Sequence, residues 1–152
     1  MLLKGLAHGP AIHVYAACSS SGICQVVETL MEWREQFPDA FLRMFALIYD
    51  YTPTKGVPDK THFKQLYYEI FEFRETHFED ERRMARQAEA LRVACFFENP
   101  AVLICTNAFL KTRTTGLRRG ARFATPQFEI DEAMRVRTEF HHARMAGTVE
   151  LL

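Results

Sequence analysis

No apolar run in the sequence reaches the roughly 18 residues that a membrane-crossing helix requires. Net charge is missing too: 19 basic and 19 acidic residues cancel, so composition alone carries no nucleic-acid signature. Cysteine is sparse, and Cys18, Cys24, Cys95 and Cys105 form no CxxC pair and no Cys/His set with zinc spacing. Cys95 and Cys105 lie inside apolar runs, where a thiol serves as a small hydrophobe; all four cysteines are expected to be reduced. His141 and His142 are adjacent and would point about 100° apart on a helix, too far to hold one ion together. No metal and no cofactor are expected. Internal repeats and low-complexity segments are absent. The opening "MLLKGLAHGPAIHVYAAC" is interrupted by Lys4, His8, Gly9 and Pro10 and lacks the ordered regions of a secretion signal. A cytoplasmic protein with no membrane partner is the expectation.

What is present suits one domain spanning residues 1–152 with a single core. At 48% hydrophobic, the chain is too apolar for extended disorder. Charge is unevenly spread. Residues 69–98 are acid-rich, including "EDE" at 79–81, whereas Lys111, Arg113, Arg118, Arg119 and Arg122 follow one another with no acidic residue between. A basic run of that kind reads first as a solvated connection.

"PAIHVYAAC" (10–18) alternates Ile12, Val14 and Ala16 against His13 and Tyr15, the period of a strand. "SSSG" (19–22) offers a turn and a helix cap. Val26, Val27, Leu30 and Trp33 then fall at helical spacing until Pro38. Asp39 suits the cap of a second helix, with Phe41, Leu42, Phe45 and Ile48 along one side. "TPTKGVPDKTH" (52–62) is a loop by its Pro, Gly and Asp, and "LYYEIFEFRE" (66–75) a half-buried strand. Residues 76–90 are polar and rich in helix formers, with Glu79 and Arg83 at i,i+4 and Glu81 beside Arg82, so a short helix or flexible insertion is expected there. Strands at about 91–98 and 101–110 follow, joined by a turn at Glu98-Asn99-Pro100. In "TPQFEIDEAMRVRTEF" Thr125 suits a helix cap, Pro126 the first helical position, and Glu129, Asp131 and Glu132 the positive end of the dipole. The tail after Gly147 is expected to fray. This order predicts an α+β domain with an antiparallel sheet, helices on one face and the other face open.

Four phrases carry a resemblance: "IFEFR" (70–74), "LRVACFF" (91–97), "NAFLKT" (107–112) and "TPQFEIDEAMRVRTEF" (125–140). In this order they resemble the RelE/HigB superfamily of bacterial toxins, most nearly its phage-derived HigB-like branch. About two-thirds of the chain is covered, the N-terminal half in pattern only. The resemblance implies a RelE-like curved antiparallel sheet, two N-terminal helices packed on one face and a C-terminal helix. It also implies the toxin of a toxin–antitoxin module, a metal-independent endoribonuclease that cuts mRNA on the ribosome. Its partners would be the ribosome with its mRNA and a cognate antitoxin. Against the family pattern, 76–90 and 113–124 are insertions, and the family's lysine pair becomes Lys111-Thr112 followed by Arg113. The alternative implied is a phage-derived relative that keeps the scaffold and binds without catalysis.

Cleavage of that kind needs the ribose 2′-OH to attack its own phosphate while cations stabilise the charge that develops. Arginine's planar fork matches phosphate oxygens, and a lysine stabilises charge or, with its pKa depressed, accepts a proton. Arg74, Arg92 and Lys111 are the catalytic candidates, with Arg113, Tyr68 and Glu72 as substrate-binding candidates. Strand parity places Glu72 and Arg74 opposite Phe71 and Phe73, and Arg92 opposite Val93 and Cys95. If the aromatic set packs under the helices, Arg74 and Arg92 share the other face, within reach of Lys111 at a strand end. The plainer alternative is that Arg74 and Arg92 pair with Glu72, Glu75 or Glu98 across strands. Glu72 is a base or, more simply, a salt-bridge partner. Tyr67 and Tyr68 are core or rim aromatics unless one stacks a base. His141 and His142 lie on a solvated helix face unless one serves as an acid.

Overall fold

Pro38 stops one helix and starts the next. In the computed structural model, which describes residues 1–81, 84–113 and 123–152 (for 80, 81, 84–86, 112, 113 and 123 the backbone path alone), α1 runs Gln25–Gln36 and α2 Pro38–Ala46. Proline's missing N–H costs nothing in a first turn, which is where α2 uses it. Asp39 lies in that first turn without capping it by a side-chain hydrogen bond. A π-helical turn, Leu47–Tyr51, and the short α3, Thr52–Lys55, lead into the loop.

The strands are β1 (Leu2–His8), β2 (His13–Cys18), β3 (Phe63–Tyr67), β4 (Ile70–Glu81), β5 (Met84–Asn99), β6 (Val102–Arg113), β7 (Phe123–Ala124) and β8 (Glu150–Leu151). Seven lie side by side in the order β3-β4-β5-β6-β2-β1-β8, and β7 pairs with the end of β6. The fold is α+β, as expected, but the sheet is mixed rather than antiparallel. β2 runs parallel to β6, from His13 opposite Val102 to Ala16 opposite Cys105, and β1 runs parallel to β8. The β2–β6 neighbours are joined by a crossover through three helices and three strands, the long connection that parallel pairing demands.

Other expectations need correction as well. The strand expected at 66–75 is two strands, reversed at Tyr68-Glu69, where Tyr68 has a φ of 45°. The described residues of 76–90 are neither helix nor loose insertion: β4 and β5 stay paired out to Glu81 opposite Met84, because ladder hydrogen bonds and cross-strand packing override helix propensity. Position 83, and with it the expected Glu79–Arg83 contact, lies outside the described residues, as does 114–122. The tail does not fray. The Met1 ammonium donates to the Thr148 carbonyl at 2.9 Å, and Glu150 and Leu151 form β8 against β1. The fourth helix, α4 (Gln127–Met145), has Pro126 rather than Thr125 as its cap, with no capping side-chain hydrogen bond.

Both sheet faces carry helices. On one, α1 and α2 bury Val26, Leu30, Trp33, Phe41 and Met44 against Val14, Phe73, Leu91, Val93, Cys95 and Leu103. On the other, α4 buries Ala133, Val136 and Phe140 against Ile70, Ala94, Phe96, Ile104 and Phe109. The face expected to be open is thus half roofed by α4, whose apolar stripe needs a partner as much as the sheet does. Beyond Cys105, β6 outruns β2, and the Gln25 side chain completes the exposed ladder. Its amide donates to the Ala108 carbonyl and accepts from the Ala108 N–H, both at 2.8 Å. Cys18 and Cys24 are disulfide-bonded, tying the end of β2 to the start of α1, so only Cys95 and Cys105 are free thiols. The Ser19–Gly22 turn brings the two sulfurs together, Gly22 adopting a φ of 85°. No helix among the described residues is long and apolar enough to cross a membrane.

Candidate functional site: a buried cation cluster

Strict alternation along β6 would send Lys111 under α1 and α2, since Leu103 and Cys105 point there. A bulge prevents it. Ala94 pairs with Asn107 and Cys95 with Cys105, so Thr106 is an extra residue that resets the parity. Thr106 settles its hydroxyl on the Ala94 carbonyl at 3.2 Å. After the bulge Ala108 and Leu110 take the helix side, and Phe109 joins the α4 face. Lys111 follows Phe109.

On β4 and β5 the parity holds as read from the sequence. Phe71, Phe73, Val93 and Cys95 pack beneath α1 and α2, which leaves Glu72, Arg74 and Arg92 on the opposite side. Arg74 and Arg92 stand directly across from each other, a like-charge pair that opposes folding unless an anion intervenes. Glu72 intervenes. Its Oε1 lies 2.9 Å from Lys111 Nζ, 3.6 Å from Arg92 Nε and 3.7 Å from Arg74 Nε. Glu72 is 2% exposed and Arg92 4%. Arg92 also donates from one Nη to the carbonyls of Glu75 at 2.9 Å and Leu91 at 2.8 Å, which fixes its plane.

The three cations therefore meet, and Glu72 stands among them as a salt-bridge partner. Three positive charges face one carboxylate, and two buried donors, Arg74 Nε and Arg92 Nε, have no hydrogen-bond partner among the described residues, nor does Glu72 Oε2. Burial lowers the Lys111 pKa, the Glu72 hydrogen bond and charge oppose this, and Arg92 and Arg74 lower it further. Burial likewise lowers Arg92, to about 10, against the pull of Glu72.

A cleft of about 470 Å³ opens onto Arg74 and Arg92, lined also by Lys60, His62, Glu75 and Gln87 among others, while Lys111 and Glu72 lie behind its lining. Its second feature has no signature in the local sequence. His62, which "TPTKGVPDKTH" marked only as loop, places Nδ1 3.2 Å from Glu75 Oε1, and Arg43 of α2 places Nε 3.0 Å from the other oxygen. No local spacing announces this trio, because its members come from a helix, a loop and a strand.

The remaining candidates lie elsewhere. Tyr68 is 71% exposed at the β3–β4 turn, edge-on to Tyr67 and outside the cleft lining. Arg113 ends β6, and its side chain lies outside the described residues. His141 packs against Phe96 and Phe140 on α4, its pKa lowered chiefly by burial and by Arg137. Glu98 is engaged by Arg144 rather than by either cluster arginine. Among the described residues no group of three or more His, Cys, Asp and Glu side chains is placed to hold a metal ion.

No family model, curated protein or solved structure matches the chain. The cluster's chemistry rests on its own residues: a positively charged, partly desolvated cleft with donors facing an acceptor position.

Proposed function

We propose that this chain is a RelE/HigB-like toxin of a toxin–antitoxin module, a metal-independent endoribonuclease acting on ribosome-bound mRNA in the cytoplasm. One observation carries the reading. Three cations singled out from separate strands converge on a single point, with an excess of positive charge and unmatched guanidinium donors. Support also comes from the four family-like phrases, which occupy β4, β5, β6 and α4 in order.

A phosphodiester entering the cleft offers its non-bridging oxygens to Arg74 and Arg92. Fixed, poorly hydrated donors stabilise a developing phosphorane better than water does, because they need not reorganise. Lys111, its ammonium made less favourable by burial and two guanidiniums, adds charge to the same centre. Glu72 keeps the three from repelling one another in the free protein. A cognate antitoxin would silence the domain by covering this cleft.

Induction in growing bacteria tests the proposal. Growth arrest with new mRNA 5′ ends on polysomes, abolished by Arg92→Ala and by Lys111→Ala, is the expected result. A second reading, a non-catalytic binding protein on the same scaffold, is favoured by the depth of Arg92, whose hydrogen bonds to Glu75 and Leu91 serve the fold as well. Undiminished growth with intact polysomal mRNA would select it.

A further inference from the structure

We infer that His62, aligned by Glu75, is the proton-transfer residue of the cleft. This rests on the nuclease reading and supplies the general base that the cation cluster lacks.

The wall between two cavities is built from this pair. His62 and Glu75 line both the 470 Å³ cleft that contains Arg74 and Arg92 and a neighbouring cavity of about 440 Å³ under α2 and α3. Glu75 is buried to 7% exposure, so its carboxylate is a fixed acceptor rather than a mobile surface group. Arg43 holds it from one side, donating from Nε to Oε2 at 3.0 Å and from Nη2 to the Thr76 carbonyl at 2.6 Å. His62 Nδ1 lies 3.2 Å from the other oxygen. The backbone adds a second tie, the Arg74 N–H donating to the His62 carbonyl at 2.8 Å.

A carboxylate 3.2 Å from Nδ1 favours the tautomer in which Nδ1 carries hydrogen and Nε2 keeps its lone pair. The imidazole is partly exposed, on a residue whose backbone is tied directly to that of Arg74. That gives the cleft what phosphate-binding cations do not provide: a nitrogen lone pair able to take one proton beside the phosphorus. The charged groups around the ring, among the described residues, are Glu75 and Arg74 from β4, Arg92 from β5, Arg43 from α2, Asp50 and Lys55 from the neighbouring cavity, and Lys60 from its own loop.

The step balances without a further reactant except water. Nε2 of neutral His62 takes the 2′-OH proton, O2′ forms a bond to phosphorus, the P–O5′ bond breaks with its electron pair on O5′, and O5′ takes a proton from water. The products are a 2′,3′-cyclic phosphate and a 5′-hydroxyl end, with an imidazolium that returns its proton to the hydroxide left in solvent. Glu75 is a positioning residue, stabilising the imidazolium that forms.

The test is single-turnover cleavage of mRNA programmed on bacterial ribosomes, with wild type, His62→Gln and His62→Ala compared across pH. His62→Gln is expected to slow cleavage about 100-fold or more, to leave mRNA retention on the protein–ribosome complex within about twofold, and to change the shape of the pH profile of the rate. Added imidazole should restore part of the rate to His62→Ala and none to Arg92→Ala. Wild-type cleavage matched by His62→Gln in rate and pH profile overturns the role of His62 and leaves the nuclease reading standing. A wild type that does not cleave overturns both. The ring is only partly buried, and unchanged melting of His62→Gln excludes misfolding as the cause of a slow rate.

Discussion

Lys111 Nζ sits 2.9 Å from Glu72 Oε1 although the two residues belong to strands separated by β5. The contact spans a strand that contributes a second cation, Arg92, to the same oxygen. One carboxylate is thus the common counter-charge for residues of three strands.

Removing that carboxylate should expose the repulsion it offsets. Glu72→Gln is expected to lose roughly 3–5 kcal/mol, the usual cost of stripping one partner from a buried ionic group. Inorganic phosphate should then raise the variant's melting temperature more than the wild type's, because a dianion can take Glu72's place among Arg74, Arg92 and Lys111. Thermal melts with and without phosphate decide this. Equal responses would show that the three cations do not form a single anion site.

Lys111 makes stability depend on alkaline pH. Its folded pKa lies below the ordinary 10.5, mainly through burial. Below the folded value both states carry the proton and the cost of the buried ammonium is present in full. Between the folded value and 10.5 the unfolded chain holds more protons, so stability rises with pH through that window. Lys111→Met has no such group. Urea midpoints for the two proteins at increasing pH should shift toward the wild type, and a difference independent of pH would refute the assignment.

The cysteines divide into two accessible only by unfolding and two accessible only by reduction as well. Burial pushes the Cys105 thiol up to about 12 and Cys95 higher than its ordinary value, so neither offers a thiolate at neutral pH. Iodoacetamide should label none in the native protein, Cys95 and Cys105 after denaturation, and all four only after denaturation with reductant. Mass spectrometry reads the count directly, and four labels without reductant would remove the Cys18–Cys24 bond.

Gln25 does for β6 what a neighbouring strand would do. Gln25→Ala leaves the Ala108 N–H and carbonyl without their side-chain partner, at an expected cost of about 1–3 kcal/mol. Hydrogen exchange at Ala108 should quicken by more than at Leu103, which lies in the stretch paired with β2. Equal protection in variant and wild type would argue against the bridge.

Legibility in the sequence followed the periodicities. Phe71, Phe73, Val93 and Cys95 announced their shared face by strict alternation, and Val26, Leu30 and Trp33 theirs by helical spacing. The points that failed are those where one residue breaks a period for a tertiary reason. Thr106 is an ordinary strand residue by type, yet its bulge turns Lys111 onto the cation face. Tyr68 reverses the chain at a positive φ without the glycine or asparagine that usually marks such a turn. Leu2–His8 was hidden because Lys4 and Gly5 break its apolar pattern, although Leu3 is buried. The Cys18–Cys24 bond and the His62–Glu75–Arg43 trio depend on loop paths that no short window encodes.

The parallel alignment of His13–Ala16 with Val102–Cys105 sets the order of events during synthesis. The N-terminal hairpin leaves the ribosome early but finds its inner neighbour only after some ninety further residues have been made. Closing so distant a contact is slow relative to local pairing. Lys111 is made later still, so the cation cluster is completed after the hairpin and the first two helices are in place.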